Sequence, residues 1–177
     1  MSVKQTYVIG ALVENKPGVL YEVSNMFRRR GFNIESISVG VTEQKDLSRM
    51  TITVNGDERT IEQVTKQLNK IINIVKVSIL NPKTTVVREM ALIKVRAMDS
   101  KSRSDIIQYV DVFRGHIVDV SSDSLIAEIT GDSEKIDAFI ELVTSFGIKE
   151  VARTGITALS RGAKVIKSNQ ELVKEAI

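Results

Sequence analysis

Residues 14–20 read Glu14-Asn15-Lys16-Pro17-Gly18-Val19-Leu20 (ENKPGVL), and across them the period of the apolar pattern changes. Before them, TYVIGALVE from Thr6 to Glu14 is a largely apolar, partly β-branched run, which predicts a strand buried on both faces. After them, Val19, Leu20, Val23, Met26 and Phe27 recur at helical spacing as far as Arg28-Arg29-Arg30-Gly31, where cations and a glycine suit a helix C-terminus. A strand therefore passes into an amphipathic helix through Pro17-Gly18. Proline at the first helical position loses no hydrogen bond, and glycine permits close backbone approach.

Working outward, Ile37, Val39 and Val41 alternate with polar residues, as do Met50, Ile52 and Val54 beyond a polar connection over Thr42 to Asp46; together they predict a hairpin. Asn55-Gly56-Asp57 breaks the alternation, Ile61, Val64, Leu68 and Ile71 restore helical spacing, and Val75, Val77 and Ile79 return to a strand. The order is βαββαβ. Past Asn81-Pro82 it repeats: a strand over Met90 to Val95, a helix through Ile106, Ile107, Val110 and Phe113, and a tighter hairpin of Gly115 to Ser121 and Leu125 to Thr130. A helix carrying Ile136, Phe139, Ile140 and Val143 follows, then a closing strand over Ile148 to Leu159. Arg30-Gly31 and Gly56-Asp57 reappear as Arg114-Gly115 and Gly131-Asp132, which marks a duplication.

The fold class is thus α+β, two ferredoxin-like βαββαβ units, each an antiparallel four-stranded sheet with both helices on one face. The expected organisation is a first domain over 1–80, a linker over 81–85, a second domain over 86–162 and a tail over 163–177. In the tail, Ser168-Asn169-Gln170-Glu171 fits a capping box before Leu172, Val173 and Ile177, either a frayed terminal helix or one that docks on a partner. Open sheet edges and a bare apolar face predict a dimer or larger assembly.

Composition excludes more than it selects. Lys and Arg number 25 against 22 Asp and Glu, interspersed, so no nucleic-acid partner is indicated. Tyr7 is the one aromatic clearly in a strand, too little for a base-stacking platform, and Arg28 to Arg30 fits a solvated helix cap. No apolar stretch approaches the roughly 20 residues that span a bilayer, and no leader is apparent, so a soluble cytoplasmic chain without membrane contact is expected. Without cysteine there is no disulfide, thiolate nucleophile or Cys-based metal site. His116 is the sole histidine, with no triad or metal-ligand spacing around it, and fits a structural or solvated role. Glu14 with Glu22 forms no convincing acid-base pair, and neither a Walker A sequence nor GxGxxG occurs. What remains is a protein that acts by binding.

The ENKPGVL turn is where binding is expected. Free amides in the first turn of a helix, aided by its dipole, hold a small carboxylate, and Gly18 leaves room for it. Asn15 beside the turn and Asn33 entering the second strand each donate to a carboxylate and accept from an ammonium. Val19, Leu20 and Ile34 supply an apolar wall. On spacing alone, a well-made turn with no chemistry reads the same.

A βαββαβ unit with Pro-Gly between its first strand and helix resembles an ACT domain, a small-molecule-binding module of feedback control. ENKPGVL, RGFNIESISVG (30–40), LSRMTI (47–52), FRGHIVDVS (113–121) and LSRG (159–162) together resemble the regulatory small subunit of acetolactate synthase, also called acetohydroxyacid synthase, from about Tyr7 to Gly162. The resemblance implies a non-catalytic partner of the acetolactate synthase catalytic large subunit in branched-chain amino-acid synthesis. It would activate that subunit and confer inhibition by valine, bound where the ACT domains of a homodimer meet. It implies no cofactor in this chain; thiamine diphosphate, Mg and FAD belong to the catalytic subunit. It points to Asn15, Gly18 and Asn33 for the effector's polar ends, with Pro17, Val19, Leu20 and Ile34 next. Met98-Asp99-Ser100-Lys101-Ser102 lacks Pro-Gly, so no such site is expected in the second domain, whose role would be structural or subunit-contacting. Two other readings are a stand-alone ACT-domain amino-acid sensor, for which no helix-turn-helix is apparent, and an acylphosphatase-like activity using Lys16, for which the turn lacks an arginine. An apolar wall separates valine, leucine and isoleucine by about 1–3 kcal/mol at most.

Overall fold

In the computed structural model, residues 5–163 and 165–166 are described; the tail helix expected over 168–177 lies outside them. The chain forms two compact units, one of residues up to Val86 together with those from Ile156 on, the other Val87–Gly155. In the first, β1 (Gln5–Glu14), α1 (Val19–Arg30), β2 (Ser36–Val41), β3 (Leu47–Gly56), α2 (Glu58–Leu68) and β4 (Ile74–Leu80) form an antiparallel sheet of order β2-β3-β1-β4. The second repeats this with β5 (Thr85–Arg96), α3 (Ser100–Val112), β6 (His116–Val120), β7 (Ser124–Gly131), α4 (Ser133–Val143) and β8 (Ile148–Arg153), in order β6-β7-β5-β8. The duplicated α+β reading holds.

Each core lies between one sheet face and two helices. Ile9, Ala11 and Val13 of β1 alternate inward against Met50, Ile52 and Val54 of β3, and meet Val23 and Phe27 of α1 with Ile61, Val64 and Leu68 of α2. In the second unit Ile93 and Val95, Ala127 and Ile129 pack on Ile106, Val110, Ile136 and Phe139. The glycine-aspartate pairs that ended each third strand are helix starts: Asp57 accepts from the Thr60 amide at 2.8 Å and Asp132 from the Lys135 amide at 2.9 Å. The two Arg-Gly pairs are less alike than they read, because Gly31 takes the left-handed backbone (φ 68°) in the first copy but Arg114 does (φ 51°) in the second.

The run Ile148 to Leu159, expected as one strand, is two. β8 stops at Arg153; the amide of the exposed Thr154 donates to the Met90 carbonyl at 3.0 Å, and Gly155 takes φ 75°. From Ile156 the chain belongs to the first unit, with β9 at Thr157–Ser160. Apolar residues stand on both sides of the break and serve different units, so the local pattern carries no sign of it. This segment also corrects the expectation of a bare second face. Ser38 Oγ donates to the Ile156 carbonyl at 2.8 Å and Arg49 Nη2 to the Ala158 carbonyl at 3.0 Å. Leu12, Thr51, Thr53 and Leu80, on the face away from the helices, are accordingly buried.

The second unit contains an ion pair of good geometry that is buried on its carboxylate side. Arg153 donates through Nε and Nη2 to the two oxygens of Glu89, each at 2.8 Å, and through Nη1 to Asp137 at 2.6 Å, while Ser133 Oγ donates to Glu89 at 2.9 Å. The Arg153 hydrogen bonds, opposed by burial and helped by Ser133, hold the Glu89 carboxyl below the usual glutamate range. A depressed folded pKa contributes stability that is present above the unfolded pKa and is lost as pH falls through the folded one. Urea unfolding of the second unit should therefore be flat near neutrality and weaken below about pH 4.3. Glu89→Gln should remove that acid dependence and cost on the order of 2 kcal/mol at pH 7, since the bidentate pair is broken at a partly exposed arginine. An unchanged acid limb in the variant would place the dependence elsewhere.

Candidate functional site

β1 leads into the turn through Glu14, whose amide donates to the Asn73 carbonyl at 2.9 Å. Lys16 to Val19 then form a turn in which the Val19 amide reaches the Lys16 carbonyl at 3.4 Å and Gly18 has φ 90°, ψ −17°. A left-handed residue at the third position is the requirement of a type II turn, and proline is common at its second. Pro17 is therefore not the first helical residue, as the pattern had placed it: left-handed backbone at Gly18 cannot be helical, so α1 starts at Val19 with Gly18 as its N-cap. No side chain caps this helix. The Glu22 amide takes the Gly18 carbonyl at 2.9 Å, while the amides of Leu20 and Tyr21 lie in the first turn, where no intrahelical acceptor exists. A Cβ on Gly18 would meet nothing within 4 Å, so the turn is open on the side of residue 18.

Asn15 is fixed beside them. Its amide nitrogen donates to the Asp46 carbonyl at 2.7 Å and its side-chain Nδ2 to the Lys45 carbonyl at 2.9 Å. One donor of the carboxamide is thus committed to the β2–β3 connection, and Oδ1 is left as an acceptor suited to an ammonium. Lys16 pairs with Glu14 at 2.9 Å, both side chains exposed. Leu20 is 50% exposed and borders the turn, whereas Val19 is 3% exposed and its side chain serves the core.

Asn33 and Ile34 are not with this group. They follow α1, and its 12 residues put about 18 Å of helix between them and Gly18. Asn33 is exposed, donates to Glu35 Oε1 at 2.7 Å, and lines a depression with Phe32, Asn55 and Asp57; Ile34 is half-buried against the first core. The candidate residues thus fall into two groups, Asn15, Gly18 and Leu20 at one end of α1 and Asn33 at the other. Sequence reasoning missed Glu35 as the partner of Asn33, and its two-residue spacing is too common a pattern to have signalled it.

The remaining candidates are surface features. His116 is exposed at the start of β6, and Arg28, Arg29 and Arg30 occupy the exposed last turn of α1, with Arg30 donating to Gln67 at 3.1 Å. Among the described residues no group of three or more His, Asp or Glu is placed to hold a metal ion.

Comparison with known proteins covers both units. Residues 9–76 match the ACT domain of AHAS small subunit-like proteins, and residues 88–162 match a domain described as the small subunit of acetolactate synthase. The chain is 58% identical to the probable acetolactate synthase small subunit of Methanothermobacter thermautotrophicus, over 91% of this chain and 96% of that one. It is 50% identical to the acetolactate synthase small subunit of Mycolicibacterium smegmatis, over 91% and 94%. The crystal structure of the acetolactate synthase small subunit from Thermotoga maritima superposes with a TM-score of 0.84 at 48% identity, covering 90% of this chain and 99% of that one.

Proposed function

Since this chain belongs to the acetolactate synthase small-subunit family, regulatory and non-catalytic, we propose that it activates a catalytic large subunit and makes that enzyme inhibitable by valine or a related branched-chain amino acid. The thiamine diphosphate, Mg and FAD of the reaction reside on the large subunit, and this chain works beside it in the cytoplasm. Among its described residues no helix is long and apolar enough to cross a membrane.

The separation of the two groups of candidate residues carries the reading of how valine binds. A zwitterion a few ångströms long cannot touch Gly18 and Asn33 across about 18 Å of one helix. A second copy, related by a two-fold axis that sets the α1 helices antiparallel, brings the Asn33 end of one chain to the turn of the other, twice per dimer. Leu20 and Tyr21 amides then hold the carboxylate, Asn15 Oδ1 and the partner copy's Asn33 orient the ammonium, and Leu20 lines the aliphatic side chain. Gly18 keeps the amides approachable, and Pro17 presets the turn.

Valine bound at such a seam favours one arrangement of the dimer and so changes how the catalytic subunit is held. It acts only through differential affinity, and a coupling of about 1–3 kcal/mol suffices; the bound enzyme must then alter valine affinity by the same factor. Reconstitution is the test. Adding the chain to purified large subunit should raise acetolactate formation, and valine should abolish the gain only when the chain is present. Activity indifferent to the chain would refute the assignment.

A further inference from the structure

On the sheet face away from the helices, a cavity of about 260 Å³ opens among β1, the β2–β3 connection and residues 159–166 of the returning segment. Its volume falls below the roughly 300–1,000 Å³ of drug-sized sites, so any occupant is small. Leu12, Leu47 and Ile166 make its apolar wall, and Arg49 enters it from β3. Glycine at residue 10 lets Ile166 and Arg49 lie close over β1 at the cavity's edge: a Cβ there would stand 2.8 Å from Ile166 Cδ1 and 3.1 Å from Arg49 Nη2.

Arg49 is a half-buried cation with no counterion among the described residues. Nη2 donates to the Ala158 carbonyl at 3.0 Å, Nε is buried with no acceptor, and among the described residues no carboxylate lies within ion-pair distance. Burial penalises its charge, which a bound anion would repay. Glu43, exposed at the same cavity, has no cationic partner among the described residues, and the Ser160 hydroxyl there makes no hydrogen bond to them. A cation and an anion, each without a charged partner among the described residues, and an aliphatic wall together match an aliphatic zwitterion.

We propose that this cavity is a second binding site, separate from the α1 turn, for a small aliphatic amino acid held as its zwitterion: carboxylate on Arg49, ammonium toward Glu43, side chain against Leu12, Leu47 and Ile166. The proposal does not depend on the seam between copies. Titration calorimetry of the full-length Gly18→Asp chain with leucine, isoleucine and valine, and with 4-methylpentanoate as the carboxylate lacking an amine, tests it.

At least one amino acid should bind once per chain in that variant. Arg49→Gln should weaken it tenfold or more, and Glu43→Gln should weaken the amino acid about tenfold while leaving 4-methylpentanoate unchanged. If Arg49→Gln fails to fold, Glu43→Gln, at an exposed position with no hydrogen bond to lose, carries the test. Absence of binding in Gly18→Asp, affinity indifferent to Glu43→Gln, or 4-methylpentanoate binding as tightly as the amino acid would each overturn the site. So would a crystal in which a carboxylate from residues 167–177 fills the cavity and pairs with Arg49.

Discussion

Gly18→Asp should yield a chain that still activates the large subunit but no longer transmits valine, with the inhibition curve displaced at least about 100-fold. The argument is local. Residue 18 holds φ 90° and nothing stands within 4 Å of its Cβ direction, so the new side chain meets no clash. Left-handed backbone costs an ordinary residue about 1–2 kcal/mol, and aspartate is among those that tolerate it best, so the fold survives. What changes is charge. A carboxylate is delivered to the Leu20 and Tyr21 amides, the groups proposed to bind the effector's own carboxylate, and the two anions exclude each other. Gly18→Ala separates the causes: it carries the same backbone strain without the charge, and should shift the valine curve far less. Full valine sensitivity in Gly18→Asp, measured in the reconstituted enzyme, would remove the turn from the binding site.

The largest stability effect is expected at Phe139. It is fully buried on α4, and its ring meets Phe113 edge to face at 5.3 Å between centroids. Truncation to alanine forfeits the transfer energy of the ring, that aromatic contact and the packing around the void, about 3–5 kcal/mol. Domains of this size are stable by only about 5–15 kcal/mol, so the second unit is left marginal. Because the two cores share no residue, the loss falls on one transition. Calorimetry should show the second unit melting at least about 12 °C lower, at about 4 °C or more per kcal/mol. An unshifted melt would mean that Val87–Gly155 does not rely on its own core.

How far ENKPGVL could be read shows where sequence reasoning ends. The turn, its glycine and the helix beyond it were legible, because proline and glycine act through their own dihedral limits. Pro17 was misplaced by one structural step, since only the left-handed conformation of Gly18 reveals that the helix begins after it. Val19 and Leu20 read as neighbours on one wall, yet one enters the core and the other faces out, a choice made by the direction in which α1 packs. Arg49 lies inside LSRMTI and looks like the polar member of an alternating strand; that it is unpaired beneath a cavity depends on Ala158 and Ile166, more than a hundred residues later.

The order βαββαβ, its duplication and the want of catalytic equipment were determined by the chain alone, because periods of two and of about 3.6 and the residue inventory are local properties that need no partner to be read. The splitting of Ile148 to Leu159 between two units, the cover it lays over the first sheet, and the distance separating Asn15 from Asn33 were decided only by tertiary structure. Those depend on residues remote in sequence, set by which surfaces each folded unit buries, and no local pattern encodes them.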